Sequence, residues 1–194
     1  MRSTLSNRAA ALAVAVLASL SAQAEGPVDR VLSDGWRFSR DAGATWSDVR
    51  VPHDWAIAGP FDPKGDGNTG KLPWKGEGVY RKTIVLGSKP TGRVFLDFDG
   101  VMARSTVYVN DQPCGKGEYG YLGYRADATP YLFAGTNVIT VKCDTRSHRS
   151  RWYPGGGMYR NVWRVKTDDV YVEDDSLRIE TKRGEDGVWK VTVG

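Results

Sequence analysis

One stretch decides how the fold of this chain is interpreted: Ser150-Arg151-Trp152-Tyr153-Pro154-Gly155-Gly156-Gly157-Met158-Tyr159-Arg160. Aromatic and arginine side chains flank a Pro-Gly-Gly-Gly turn, directly before a strand-like run at 161–165. Glycines allow the backbone positive φ angles and a close approach to a ligand or a neighbouring domain. Flat aromatic faces can stack on sugar rings, and a guanidinium supplies fixed donors for hydroxyl or carboxylate oxygens. The stretch therefore predicts either a sugar-contacting loop or a tight loop whose aromatic residues pack the edge of a β-sandwich.

Short strand-like runs, separated by Gly, Pro, Asn and Asp turn signals, make up most of the remaining chain. Besides 161–165, strands are predicted at 28–32, 36–39, 46–51, 78–86, 93–98, 105–110, 138–143, 170–172, 176–181 and 188–193. A long polar loop is predicted at 56–77. Because no long segment after residue 24 repeats its apolar residues with a helical period, the chain is predicted to be all-β.

Four further motifs lie upstream of the opening stretch, at Val51–Trp55 (VPHDW), Gly76–Lys82 (GEGVYRK), Phe98–Val101 (FDGV) and Val107–Asn110 (VYVN). In this order and spacing, the five motifs resemble the N-terminal domain of glycoside hydrolase family 2. They are most similar to its β-galactosidase branch, over about residues 30–166. Each motif alone is weak, but five in order make the resemblance specific.

The resemblance implies a jelly-roll, galactose-binding-like β-sandwich at 25–166. In the family this domain packs against an immunoglobulin-like domain and a catalytic (β/α)8 barrel. Residues 168–194 would then be the start of an incomplete immunoglobulin-like domain, since that fold needs about seven strands. We therefore expect the chain to be truncated before the barrel.

The resemblance also implies that the chain is part of a retaining, β-galactosidase-like glycosidase, which hydrolyses O-glycosyl bonds without a cofactor. Such enzymes need two carboxylates about 5 Å apart, and in the family both belong to the barrel. None of the carboxylates here matches the family's catalytic positions, so this chain alone is expected to be inactive and to hold no catalytic residue. Two alternatives stay open: a free-standing carbohydrate-binding module, or a β-glucuronidase or β-mannosidase fragment of the same family.

Arg151 and Trp152 are the predicted substrate-binding residues. In β-galactosidases of this type, the loop with the matching Arg-Trp pair reaches the mouth of the barrel. By resemblance, Arg151 would donate to ring hydroxyls of a β-galactoside or related glycan and Trp152 would shape the pocket wall. The alternative is that both residues pack against the barrel domain. Tyr119, Tyr121 and Tyr124, which lie among glycines, are interpreted either as a stacking platform or as packing of the sandwich.

Other reactive residues point to structure rather than chemistry. His53 and Asp54 are adjacent, and neighbouring side chains on a strand point to opposite faces, so they are not expected to act together as a base. Two His and two Cys cannot form a zinc cluster of the usual ligand count, and no metal site is predicted. Cys114 and Cys143 can form one disulfide in an exported protein, or remain two buried thiols.

The first 24 residues have the features of a secretory signal peptide. Arg2 and Arg8 precede an apolar run at 9–20, which is too short to span a bilayer, and Ala22-Gln23-Ala24 fits the cleavage rule. The protein is therefore expected to be exported, to the periplasm or the medium. The formal net charge is only +4 and the basic residues are dispersed, so neither a nucleic-acid partner nor a membrane partner is predicted.

Overall fold

The computed structural model describes residues 30–173 and 176–194, and the predicted signal peptide lies outside these ranges. Two antiparallel sheets enclose the core. The strands are β1 Arg30–Val31, β2 Trp36–Ser39, β3 Ser47–Val49, β4 Glu77–Leu86, β5 Arg93–Phe98, β6 Ser105–Val109, β7 Gln112–Gly117, β8 Tyr124–Asp127, β9 Gly135–Asp144, β10 Val162–Thr167, β11 Ile179–Arg183 and β12 Trp189–Val193. Two short 3-10 turns lie at Gly67–Thr69 and Thr129–Tyr131. The predicted all-β sandwich is confirmed.

The strand order explains which residues face the core. One sheet has the order β1-β10-β5-β8 and the other β3-β2-β4-β9-β6-β7. Along β9, Ile139, Val141 and Cys143 are buried, while the intervening Lys142 is exposed, as the period of two requires. Buried residues of both sheets form one apolar cluster, in which aliphatic side chains pack with large aromatic ones such as Trp36 and Phe98.

The structure corrects the sequence prediction at three strands. Residues 170–172 were predicted to be a strand, but they form irregular chain beside β5, where the Tyr171 ring lies 5.6 Å from that of Phe95. Strands β7 and β8 were not predicted. β7 follows β6 through the two-residue turn Asn110-Asp111, in which both residues have positive φ, as a tight hairpin turn demands.

Residues 176–194 form only the β11–β12 hairpin, whose strands pair with each other. Every apolar side chain of that hairpin is exposed, including Trp189 at 64%. Within the described ranges, no helix has the length and apolarity needed to cross a membrane.

Candidate functional site

The glycine-rich stretch of the sequence forms the connection from β9 in one sheet to β10 in the other, at one end of the sandwich. Its second half is fixed by backbone hydrogen bonds on two sides. Met102 and Gly157 exchange two hydrogen bonds of 2.9 and 2.8 Å, and the carbonyl of Met158 accepts one of 2.8 Å from the His53 N–H. We call residues 153–158 the fixed segment of the loop.

Two glycines are needed for this close approach. A Cβ on Gly156 would collide with the indole of Trp55, and a Cβ on Gly157 would collide with the hydroxyl of Tyr80. Gly157 also has a φ of 96°, in the region that side chains rarely adopt. Substituting either glycine would therefore displace the fixed segment from the sandwich.

The carboxylate of Asp54 joins the loop to the VPHDW motif. It accepts hydrogen bonds from the Tyr153 hydroxyl at 2.7 Å and from the Gly156 N–H at 3.2 Å. It also accepts one from the N–H of Ala56 at 3.0 Å. Burial, with the hydrogen bond to Asp54, raises the pKa of Tyr153, so this phenol stays protonated as a donor. Asp54 therefore holds the loop in place, a role that sequence reasoning did not assign to it.

His53 points away from Asp54 and into an aromatic cluster. Its Nδ1 lies 2.8 Å from the Tyr80 hydroxyl, and its ring makes an edge contact with Phe38 at 4.8 Å between centroids. Burial lowers the pKa of His53, which favours the neutral imidazole. The two adjacent side chains thus have separate structural partners.

The first half of the loop is exposed. Trp152 is 59% accessible, and its Nε1 donates to the Tyr121 hydroxyl at 2.7 Å. The Tyr121 ring makes a T-shaped contact with Tyr119 at 5.4 Å. We call Tyr119, Tyr121 and Trp152 the edge aromatic cluster. Arg151 lies beside it, and within residues 30–173 and 176–194 its exposed guanidinium forms no hydrogen bond or ion pair.

The three tyrosines that the sequence grouped together have different environments. Tyr124 packs within the sandwich: its ring stacks on that of Phe98 with 5.0 Å between the centroids, and its hydroxyl lies 2.7 Å from Ser105 Oγ. Tyr119 is 55% exposed and Tyr121 bonds to Trp152. An aromatic surface with a free guanidinium beside it is chemically suited to a sugar, whose ring has apolar faces and a rim of hydroxyls.

The two cysteines are free thiols in the structure. Strand β6 lies between β7, which carries Cys114, and β9, which carries Cys143. Neighbouring strands are about 4.8 Å apart, so the two Cα atoms are separated by roughly 10 Å or more, whereas a disulfide needs less than about 7 Å. The geometry therefore opposes the disulfide that the sequence left open.

Two carboxylates lie close together but are arranged as an ion-pair network. Arg146 Nη2 is 2.8 Å from Glu77 and 2.7 Å from Asp144. The hydrogen bonds from Arg146 lower the pKa of Asp144, whereas a glycosidase acid needs a raised one. Across the residues that the structure describes, no group of three or more His, Cys, Asp or Glu could hold a metal ion.

Comparisons with known proteins agree with this geometry. The family profile described as "Glycosyl hydrolases family 2, sugar binding domain" matches residues 68–175. The β-galactosidase BoGH2A of Bacteroides ovatus is 41% identical over 149 residues, which are 73% of this chain and 17% of that protein. A putative β-glucuronidase of Formosa agariphila is 33% identical over 156 residues, 78% of this chain and 15% of that protein.

Solved structures share the fold. The crystal structure of a β-glycosidase from Bacteroides vulgatus matches with a TM-score of 0.75 and 29% identity, covering 86% of this chain and 24% of that chain. The chain thus spans only 15% to 24% of the length of these three proteins. With the family profile matched over more than half of its residues, the chain belongs to glycoside hydrolase family 2, as the sugar-binding β-sandwich domain of that family.

Proposed function

We propose that this chain is the sugar-binding domain of a β-galactosidase-like glycosidase, and that its Arg151 and Trp152 contact the substrate of that enzyme. The observation that carries the proposal is the contrast within one loop. The fixed segment, residues 153–158, is bonded to the sandwich, whereas Arg151 and Trp152 are exposed beside it. Because the fixed segment is held in place, the exposed guanidinium and the indole next to it can bind a sugar without the entropic cost of first ordering the loop.

A role in packing would give these side chains different contacts. An arginine that served only the sandwich would be expected to pair with a carboxylate or cover apolar surface. Arg151 is exposed and pairs with no carboxylate among the described residues, and the one side-chain hydrogen bond of Trp152 leaves its ring exposed. The exposed side chains of Arg151 and Trp152 are therefore available to contact a glycan, or another domain to which a glycan is bound.

A β-galactoside is the first candidate substrate, since BoGH2A is named a β-galactosidase and is 41% identical. A β-glucuronide is the second, because the relative from Formosa agariphila, named a putative β-glucuronidase, matches 78% of this chain. Arg151 could donate to a hydroxyl of the first or the carboxylate of the second. We also propose a domain boundary near 166–168, and export directed by the first 24 residues.

The test uses a family 2 enzyme that carries this domain. Replacing Arg151 by Ala should lower kcat/KM roughly 10- to 100-fold, which corresponds to the loss of about 1.5–3 kcal/mol from one charge-assisted hydrogen bond. Arg149→Ala is the matched control, because Arg149 is also exposed, two residues earlier in the chain. Measuring both variants on nitrophenyl β-galactoside and β-glucuronide identifies the preferred sugar. An unchanged kcat/KM with a lowered Tm in Arg151→Ala would instead assign this residue to packing between domains.

A further inference from the structure

A second surface of the sandwich, on its six-stranded sheet, carries four basic side chains beside three acidic ones. It is the outer face of the six-stranded sheet, where a cavity of about 530 Å³ opens, within the roughly 300–1,000 Å³ typical of ligand sites. Four cations line this cavity: Arg40, Arg81, Arg104 and Lys142. We call it the sheet-face groove.

The strand register places these side chains side by side. Arg81 of β4 lies opposite Arg37 of β2 on one side and Thr140 of β9 on the other. In the next row, Lys142 of β9 lies opposite Thr106 of β6. Because alternate residues share a face, both rows point outward, away from the apolar core.

Aromatic rings hold three of these cations in place without neutralising them. The Arg81 guanidinium lies 4.8 Å from the centre of the Trp46 ring, and Lys142 Nζ lies 5.0 Å from that of Tyr108. Arg40 lies 4.8 Å from the ring of Trp55. A cation–π contact orients the charge but consumes none of its N–H donors on a carboxylate.

The acidic residues of the groove are mostly committed elsewhere. Glu77 and Asp144 both pair with Arg146, which lies outside the lining. Asp111 also lines the groove. Across residues 30–173 and 176–194, none of the four lining cations forms an ion pair with a carboxylate within 4.0 Å.

The arrangement carries a cost that a ligand would offset. Like charges directly opposite one another on neighbouring strands destabilise a sheet, and Arg37 and Arg81 are such a pair. The Trp46 ring lies 5.5 Å from the Arg37 guanidinium and 4.8 Å from that of Arg81, which lowers the repulsion, and the exposed Asp48 at 4.0 Å from Arg37 adds little. Arg104, which also lines the groove, has a φ of 44°, a conformation uncommon for a residue with a side chain. A bound anion would compensate the repulsion and use the free donors.

We propose that the sheet-face groove binds a uronate-containing oligosaccharide through its carboxylates. A guanidinium presents two parallel N–H donors that match a planar carboxylate. The rows of Arg81 and Lys142 place one guanidinium and one ammonium on adjoining strands, suited to successive acidic sugars along a chain. This site is separate from Arg151 and Trp152, and it would hold a polymeric substrate rather than contribute to bond cleavage.

The experiment measures binding of short oligogalacturonates to the full 194-residue chain by calorimetry. The same oligosaccharides with their carboxylates methyl-esterified are the matched ligand control, since only the charge differs. The acid should bind and the ester should not. Raising the salt from about 50 mM to about 500 mM should weaken binding, because exposed charges are screened.

The double variant Arg81→Gln, Lys142→Gln should weaken binding roughly tenfold or more. Its matched control is Arg183→Gln, Lys190→Gln on the β11–β12 hairpin, which removes the same charge from other exposed positions and should leave binding unchanged. If the double variant loses Tm, Arg104→Asn replaces it, because Asn tolerates a positive φ.

Four results would overturn the proposal. These are no binding of the acid at millimolar concentration, equal binding of acid and ester, equal loss in the hairpin control, or binding of a sulfated galactan or duplex DNA as tight as that of the oligogalacturonate. The last would identify a general polyanion surface.

Discussion

At the scale of the residue, Asp54 shows how one carboxylate can join two motifs of the sequence. Its hydrogen bonds to Tyr153 and Gly156 cross 99 and 102 residues of chain. They tie the VPHDW corner to the fixed segment of the loop. The exposed residues Arg151 and Trp152 are therefore directly followed in the chain by a backbone segment that is held in place.

Replacing Asp54 by Ala should destabilise the protein by about 1–3 kcal/mol, because the Tyr153 hydroxyl and the Gly156 N–H would lose an acceptor in a part-buried site. Urea unfolding followed by tryptophan fluorescence measures the change. Glu118→Ala is the control, since its carboxylate is exposed and only 3.6 Å from Lys116, and it should change stability by less than about 0.5 kcal/mol. An Asp54→Ala protein as stable as the parent would refute this role.

Sequence reasoning predicted the exposed residues of the candidate site but not the contacts that hold the loop beside them. Arg151 and Trp152 stand out by residue type beside glycines, which a sequence shows directly. The hydrogen bond from Trp152 to Tyr121 and the one from Tyr153 to Asp54 depend on which loops meet at the end of the sandwich. Which loops come together there depends on the order of the strands in the sheets, and no local sequence pattern encodes that order.

At the scale of the element, strands were predictable where a run rich in aromatic or β-branched residues lies next to clear turn signals. Trp36–Ser39 and Arg93–Phe98 were predicted with the bounds that the structure has. β7 was missed because its sequence, QPCGKG, has the composition of a turn. Its glycines instead make room for a neighbour: a Cβ on Gly115 would collide with Ala126. Packing between elements overrode local propensity there.

The position of β6 between the two cysteines gives a chemical prediction. The denatured, unreduced protein should react with two equivalents of Ellman's reagent, because no disulfide spans an intervening strand. The native protein should react slowly, since burial raises the pKa of Cys114 to about 11 and also raises that of Cys143, and the thiolate is the reactive form. Cys143→Ala should leave one equivalent. A denatured chain with no free thiol would show that the pair is oxidised and the register wrong.

At the scale of the whole molecule, the sandwich presents two separate surfaces: the exposed part of the loop at its end, and the sheet-face groove on its outer sheet. The close carboxylates Glu77 and Asp144 share Arg146, which lowers the pKa of Asp144. A glycosidase acid needs a raised pKa instead.

The purified 194-residue chain should therefore release no nitrophenol from nitrophenyl β-galactoside or β-glucuronide above the rate of buffer alone. A family 2 enzyme with its barrel, assayed at the same molar concentration, is the positive control. Turnover by the chain that disappears in Glu77→Gln or Asp144→Asn would contradict this expectation and make the shared ion pair a catalytic one.

The division of the loop into a fixed and an exposed part has a consequence for how such domains can diversify. A side chain at Gly156 or Gly157 would collide with Trp55 or Tyr80, so these two positions tolerate few substitutions. Arg151 and Trp152 contribute little to the sandwich itself and can be exchanged at small cost in folding free energy. On the role that we propose for Arg151 and Trp152, new sugar preferences can therefore arise, or be engineered, by exchanging these two exposed residues while the sandwich stays folded.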